Sequence, residues 1–329
     1  MLNWTIEKLN LYLKHTWSIS RGSSDQKVNF FIRVSENGIT GIGEVAPNTR
    51  YNETPEKILS EFAIVLNNEL PIVKDIHKLN LLLKTFKISN ALKCGIEMAY
   101  LDYYIKKEKT TVYDVLKLKK PEKVNTSFTI PIMATERIEA FHLKFDLNKY
   151  KYLKVKINAE TGFDMLKEIN RIAENPVIVD ANEAFRDVDV LLNFMEKTKD
   201  FNIVLYEQPM PSHLNDEYFY LKEHSPYRLF ADESITDEPD FVRLKRQFHG
   251  INMKLMKSGG LVNGTKILKN AKLYGMETMI GCMVETSVAI KNGMYFAADA
   301  NFIDLDSFLY LDNEPMGLVQ EEKGELIFT

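Results

Sequence analysis

Cysteine is scarce in this chain: Cys94 and Cys282 are the only two in 329 residues. Two thiols so far apart make no disulfide framework, which sets aside the small cross-linked secreted scaffolds and points to a reducing cytoplasmic setting. There is no run of about 18 apolar residues, so no membrane span is expected. The N-terminal stretch Met1–Lys8 has no basic segment followed by an apolar block, so no signal peptide is expected either. Charge of one sign is not in excess: the net charge of −4 gives no general pull toward nucleic acid or anionic membrane. The single Lys-rich stretch, residues 106–123, is interrupted by Glu108, Asp114 and Glu122 and reads as a solvated connector. Low-complexity segments are absent. What the chain has is apolar material, 45% of it, enough for a large core and more than one domain.

The first part reads as strands followed by helices. Phe30–Val34 is strand-like, Glu36-Asn37-Gly38 is a turn, and Ile39–Val45 resumes a strand whose Gly41 and Gly43 imply a bulge or a close backbone approach. From Pro55 to about Lys107 the apolar spacing is helical, with Ile58, Phe62, Val65 and Leu66 on one face. This pattern predicts an α+β domain. From Ser127 the rhythm alternates. Strands are expected at 126–130, 152–157, 177–182, 203–208, 229–233, 251–256, 278–283 and 302–306. Amphipathic helices such as Phe163–Ile172, Val188–Glu196, Asp240–Gln247 and Gly264–Leu273 lie between them. Eight such strands predict a closed parallel barrel. The division expected is 1–120, 121–308 and a C-terminal segment 309–329 with a last strand that returns toward the first domain.

Five of the barrel runs end in a charged residue. They are Lys154-Val155-Lys156, Val179-Asp180-Ala181-Asn182, Tyr206-Glu207-Gln208-Pro209, Ala231-Asp232-Glu233-Ser234 and Asn252-Met253-Lys254. From Lys156 to Lys254 the steps are 24, 27, 25 and 22 residues, one strand–helix unit each. Groups at the C-terminal ends of successive parallel strands meet at one face of a barrel. A carboxylate at the end of a buried strand is costly unless compensated, and a divalent cation would compensate Asp180, Glu207 and Asp232 together. Oxygen-only donors suit Mg²⁺ or Mn²⁺ better than Zn²⁺, and none of the six histidines falls at a barrel strand end. Lys154 and Lys156 share a strand face. Repulsion between two adjacent ammonium groups is expected to lower one pKa and leave a general base. Lys254 would approach from the other side, while Lys257, before Ser258-Gly259-Gly260, reads as a loop residue.

The ordered K-x-K, D-A-N, E-Q-P, A-D-E-S and N-x-K-x-x-K-x-G-G series resembles the enolase superfamily, muconate-lactonising subgroup. Ile19–Ser23, Gly41–Pro47 and Arg50–Thr54 are similar to the capping-domain loops of its dipeptide epimerases, and Asp304-Leu305-Asp306 to their D-x-D. The likeness covers essentially the whole chain. It implies an α/β fold, a (β/α)₇β TIM-like barrel with an N-terminal α+β capping domain. It implies Mg²⁺ on Asp180, Glu207 and Asp232, and acid/base roles for Lys156 and Lys254. Lys154 would sit beside the substrate carboxylate. Asp304 and Asp306 would hold a dipeptide ammonium, with Thr129 and Cys282 against substrate and Arg21 paired to an acidic side chain. The activity implied is a Mg²⁺-dependent epimerase that inverts the C-terminal residue of an Ala-X dipeptide, X being Glu. The partner is then a small-molecule dipeptide, with no nucleic acid or membrane and a homo-oligomer left open. o-Succinylbenzoate synthase, N-succinylamino acid racemase and cycloisomerase are the alternatives within the superfamily.

Overall fold

The computed structural model describes residues Met1–Thr329. It opens with an antiparallel meander of β1 (Asn3–Ile19), β2 (Gly22–Glu36) and β3 (Ile39–Val45). The sequence reading missed β1, and the reason is a change of face. Trp4 stacks on Tyr100 of the cap helices, whereas Trp17, at the other end of the strand, meets Tyr310 edge-on at 4.9 Å on the barrel side. The apolar alternation therefore switches phase midway and shows no single period. The Ser20–Arg21 segment, expected as part of a loop, is the tight turn of a long β1–β2 hairpin.

Gly41 and Gly43 mark a close approach and no bulge, since β2 and β3 pair without a register shift. A Cβ on Gly41 would lie 2.2 Å from the carbonyl of Ala99, and one on Gly43 2.2 Å from that of Gly95. The Asn90–Glu108 helix can therefore lie directly on β3.

The second body is a parallel ring of β4 (Phe128–Ile130), β5 (Leu153–Lys156), β6 (Val177–Asp180), β7 (Ile203–Glu207), β8 (Arg228–Ala231), β9 (Gly250–Lys254), β10 (Glu277–Gly281) and β11 (Phe302–Asp304). All eight expected strands are present. The helices run Gly162–Ile172, Val188–Lys197, Phe241–Gln247 and Leu261–Leu273. The ring is drawn shut where Ser127 N–H donates to the Ile303 carbonyl at 2.8 Å. Ile178, Leu205, Phe230, Met279 and Phe302 fill its interior as a separate buried cluster. The ring of Phe230 would meet a Cβ on Gly250 at 2.4 Å, so that strand start has no room for a side chain.

One continuous apolar core runs through both bodies. The junction also has a polar lock. Buried Glu44, near the end of β3, accepts hydrogen bonds from Thr286 N–H (2.9 Å), Thr286 Oγ1 (2.7 Å) and Ala289 N–H (3.2 Å). A cap carboxylate thus satisfies the free amides at the start of the Ser287–Met294 barrel helix. The chain ends in a small hairpin, β12 (Val319–Glu322) and β13 (Glu325–Phe328). It pairs with residues 124–126 at the start of the barrel, while Asp312 N–H donates to Tyr12 of β1.

Candidate active site

Lys156, Asp180 and Glu207 are direct register partners across β5, β6 and β7. Lys254, Gly281 and Asp304 are partners across β9, β10 and β11. The strand ends therefore place these groups in one layer at the C-terminal mouth. In the strand order, β5 and β9 stand four places apart, so Lys156 and Lys254 lie on opposite walls. A cavity of about 320 Å³ opens between this mouth and the hairpin of the cap. Thr129, Lys154, Lys156, Asp232, Lys254, Cys282, Asp304, Asp306 and Arg21 all border it.

The floor is a lattice of charge. Lys154 Nζ lies 2.7 Å from Asp304, 2.9 Å from Glu207 and 3.2 Å from Asp180. Lys156 Nζ donates to Asp180 at 2.8 Å and to Asn182 Oδ1 at 3.1 Å, with the Trp17 ring 5.7 Å away. Lys254 Nζ donates to Asp232 at 2.9 Å. Lys257 Nζ donates to both the carboxylate and the carbonyl of Asp232.

The structure differs from the sequence expectation in the lysine electrostatics and in the place of Lys257. Lys154 is held by three protein carboxylates. Burial opposes its charge, but Asp304, Glu207 and Asp180 outweigh burial and hold its pKa well above the usual lysine value. Mutual repulsion with Lys156 is not what sets it. The same balance holds for Lys254, where burial is outweighed by Asp232 and its pKa is raised. Lys257 is not in a loop. It sits in the short helix Leu255–Ser258 with its side chain buried, and there burial prevails and lowers the pKa. Arg21 is turned onto the protein, 2.7 Å from Glu233 and 3.1 Å from Glu183, and Nη1 donates to the Asn182 carbonyl.

The Asp180–Glu207–Asp232 set has the donor chemistry of a hard-cation site. All three are buried carboxylates with oxygen donors only. Glu207 Oε2 accepts no hydrogen bond, Lys154 standing near it but out of line. Burial pushes Glu207 up to about 7, against the pull of Lys154. No three carboxylates are spaced as a closed coordination shell, and lysine ammonium groups stand among them. Buried carboxylate oxygens that need positive charge beside them fit a hard divalent cation.

Thr129 N–H donates to Asp306 at 2.5 Å, and the Cys282 thiol faces the Asp304 carbonyl at 3.3 Å. Burial, with Asp304 next, pushes Asp306 up to about 7. Several supporting residues lay inside the motifs yet were given no role from sequence. Gln208 Oε1 accepts from the amides of Asp232 and Ser234, binding the end of β7 to the β8 loop. Asn252 Nδ2 donates to Glu207 at 2.8 Å. Asn182, Glu183 and Gln208 all have positive φ, so the backbone leaves both strands through left-handed turns held by these contacts. Trp17 and Lys27 also line the cavity from the cap, where no motif flagged them, and Arg50 and Tyr51 do so from the Arg50–Thr54 cap loop.

Residues 134–323 match the family described as enolase C-terminal domain-like, and residues 5–116 match the mandelate racemase/muconate lactonizing enzyme N-terminal domain. The L-Ala-D/L-amino acid epimerase of Pedosphaera parvula is 33% identical, over 97% of this chain and 94% of its own length. The L-Ala-D/L-Glu epimerase of Bacteroides thetaiotaomicron is 29% identical, over 99% and 85%. The dipeptide epimerase of Enterococcus faecalis, solved with Mg and L-Leu-L-Tyr, superposes with a TM-score of 0.89. It is 23% identical, over 99% of this chain and 96% of its own, a likeness of fold.

Proposed function

The chain belongs to the mandelate racemase/muconate lactonizing enzyme family of the enolase superfamily, and from that premise we propose that it is a Mg²⁺-dependent dipeptide epimerase that inverts the C-terminal residue of Ala-Glu. The observation that carries the reading is the pair of lysines on opposite walls of one cavity, above a buried carboxylate set. The relatives named L-Ala-D/L-Glu epimerase and L-Ala-D/L-amino acid epimerase support it.

In this reading Asp180, Glu207 and Asp232 hold the Mg²⁺. When bound, it supplies positive charge where the substrate carboxylate gains negative charge as the α-proton leaves. Lys156 removes the α-proton from one face, and Lys254 returns a proton to the other. Lys156 and Lys254 are ion-paired with Asp180 and Asp232, and Asp232 holds Lys254 in its ammonium form. Neutralising those carboxylates is what frees a lysine to act as base. Asn182 and Asp180 aim Lys156, and Trp17 covers it from the cap, which keeps water from the exchanging proton.

Asp306, whose carboxylate takes a single backbone N–H, is the more available half of the D-x-D for a substrate ammonium. Asp304 is engaged by Lys154 and Ser127 Oγ. An ammonium site of this kind has no counterpart charge in an N-succinyl substrate, which favours the dipeptide.

The test is a proton NMR time course in D₂O with Mg²⁺ and a set of L-Ala-L-X dipeptides. The expected result is loss of the C-terminal α-proton signal with growth of the diastereomer, fastest for X = Glu. Exchange with no dipeptide, in protein that binds Mg²⁺, would overturn the reading.

A further inference from the structure

The cap contributes three cations to the cavity wall, and their partners differ sharply. Arg21 is held by Glu233 and Glu183. Arg50 places Nε at 3.2 Å and Nη2 at 3.0 Å from Glu183, which also accepts from the Ser212 amide. Lys154, Lys156 and Lys254 on the floor are each paired with an aspartate. Lys27 alone among the lining cations has no ion pair and no hydrogen bond. Desolvation by the surrounding cavity wall is the only influence on its pKa, which it lowers; no carboxylate raises it.

Its position follows from the hairpin. Lys27 pairs with Leu11 across the strands, and Leu11 is fully buried. Directly opposed residues share a sheet face, as do residues two apart on one strand. Lys27 and Asn29 therefore point the same way, and Asn29 Nδ2 reaches the barrel loop at the Val284 carbonyl, 2.9 Å away. This face looks down on the site.

We propose that Lys27 is the specificity residue that reads the side-chain carboxylate of an acidic C-terminal residue in the dipeptide. This rests on the epimerase reading and assigns its side-chain preference to a residue other than Arg21. The α-carboxylate of the substrate belongs at the floor, beside the lysines and the carboxylate set. A second carboxylate, on the side chain, then meets the cap, where Lys27 is the cation with no protein anion to give up. Arg21 would first have to break two ion pairs to serve the same end.

The experiment compares kcat/KM for L-Ala-L-Glu and L-Ala-L-Gln in wild type, Lys27→Gln, Lys27→Arg and Lys27→Glu. A charge-assisted hydrogen bond at an exposed wall, lost in Lys27→Gln, should cut the Glu-to-Gln ratio about tenfold, mostly through KM. Lys27→Arg should largely keep the ratio, and Lys27→Glu should shift preference to L-Ala-L-Lys. Lys27 is exposed, and thermal melts of the variants check that the fold is retained. A ratio unchanged within twofold in Lys27→Gln, with Arg21→Gln abolishing it, would overturn the assignment and leave epimerisation standing. No turnover of any dipeptide by the wild type would overturn both.

Discussion

Replacing Lys154 with methionine should destabilise the metal-free protein severely, and bound Mg²⁺ should undo much of the loss. The ammonium is 2% exposed and lies 2.7, 2.9 and 3.2 Å from three carboxylates. At an effective dielectric of about 20, each contact is worth roughly 5 kcal/mol of attraction. Desolvating the lysine offsets a large part of that sum. Breaking a buried charge pair by removing one partner costs about 3–5 kcal/mol, because the other charge is left uncompensated. Methionine nearly matches the volume, so the cavity contribution is small. At roughly 2–4 °C per kcal/mol for a large domain, the melting temperature in EDTA should fall by about 6–20 °C. Mg²⁺ at a hundred times its Kd should return about 2.7 kcal/mol to the variant. The assay is a pair of thermal melts, with EDTA and with Mg²⁺, for wild type and Lys154→Met. Lys199→Met, at the exposed pair with Glu196, is the control and should leave the melt unchanged. A drop of under 2 °C, or no stabilisation of either protein by Mg²⁺, would refute the reasoning.

Lys156→Ala and Lys254→Ala should each lower kcat for epimerisation by at least about 10³-fold, since each removes a general acid or base. Each should still exchange the α-proton of one epimer with D₂O, and opposite epimers for the two variants; near-full turnover in either would sink the two-base scheme. Asp306→Asn should raise KM for dipeptides roughly tenfold by removing the charge facing the ammonium. If N-succinyl amino acids became the poorer substrates instead, the D-x-D assignment would fall. Glu285 is buried beside Glu44, and burial first, then Glu44, pushes its pKa up to about 8. An acid whose pKa is raised in the folded state binds its proton more tightly there, so wild-type stability declines as pH climbs from about 4.3 through 8. Glu285→Gln should therefore gain on the order of 1 kcal/mol at pH 8 and nothing at pH 4, read from denaturant melts; an equal change at both pH values would count against the buried charge.

The barrel was legible because its strands are buried on both faces and five of the eight runs end in a charge, so β-branched runs and spacing sufficed. The expected strand 177–182 and the observed Val177–Asp180 differ only where the chain turns left-handed at Asn182 and Glu183. The cap was less legible, since β1 changes which face it buries and so has no single alternation. The roles in the site were harder to read for a different reason. Register puts Lys154 and Lys156 on one face, but the pKa of Lys154 depends on which carboxylates reach it from β6, β7 and β11, and no local spacing encodes that. The same is true of Arg21 and Lys27: both are cations on one hairpin, equally eligible in the sequence. What separates them is that Glu183 and Glu233, more than 150 residues further along the chain, fold against one and leave the other unpaired. A substrate anion competes with whatever anion the protein already supplies, so the residue that can select a side chain is the one the fold has not neutralised.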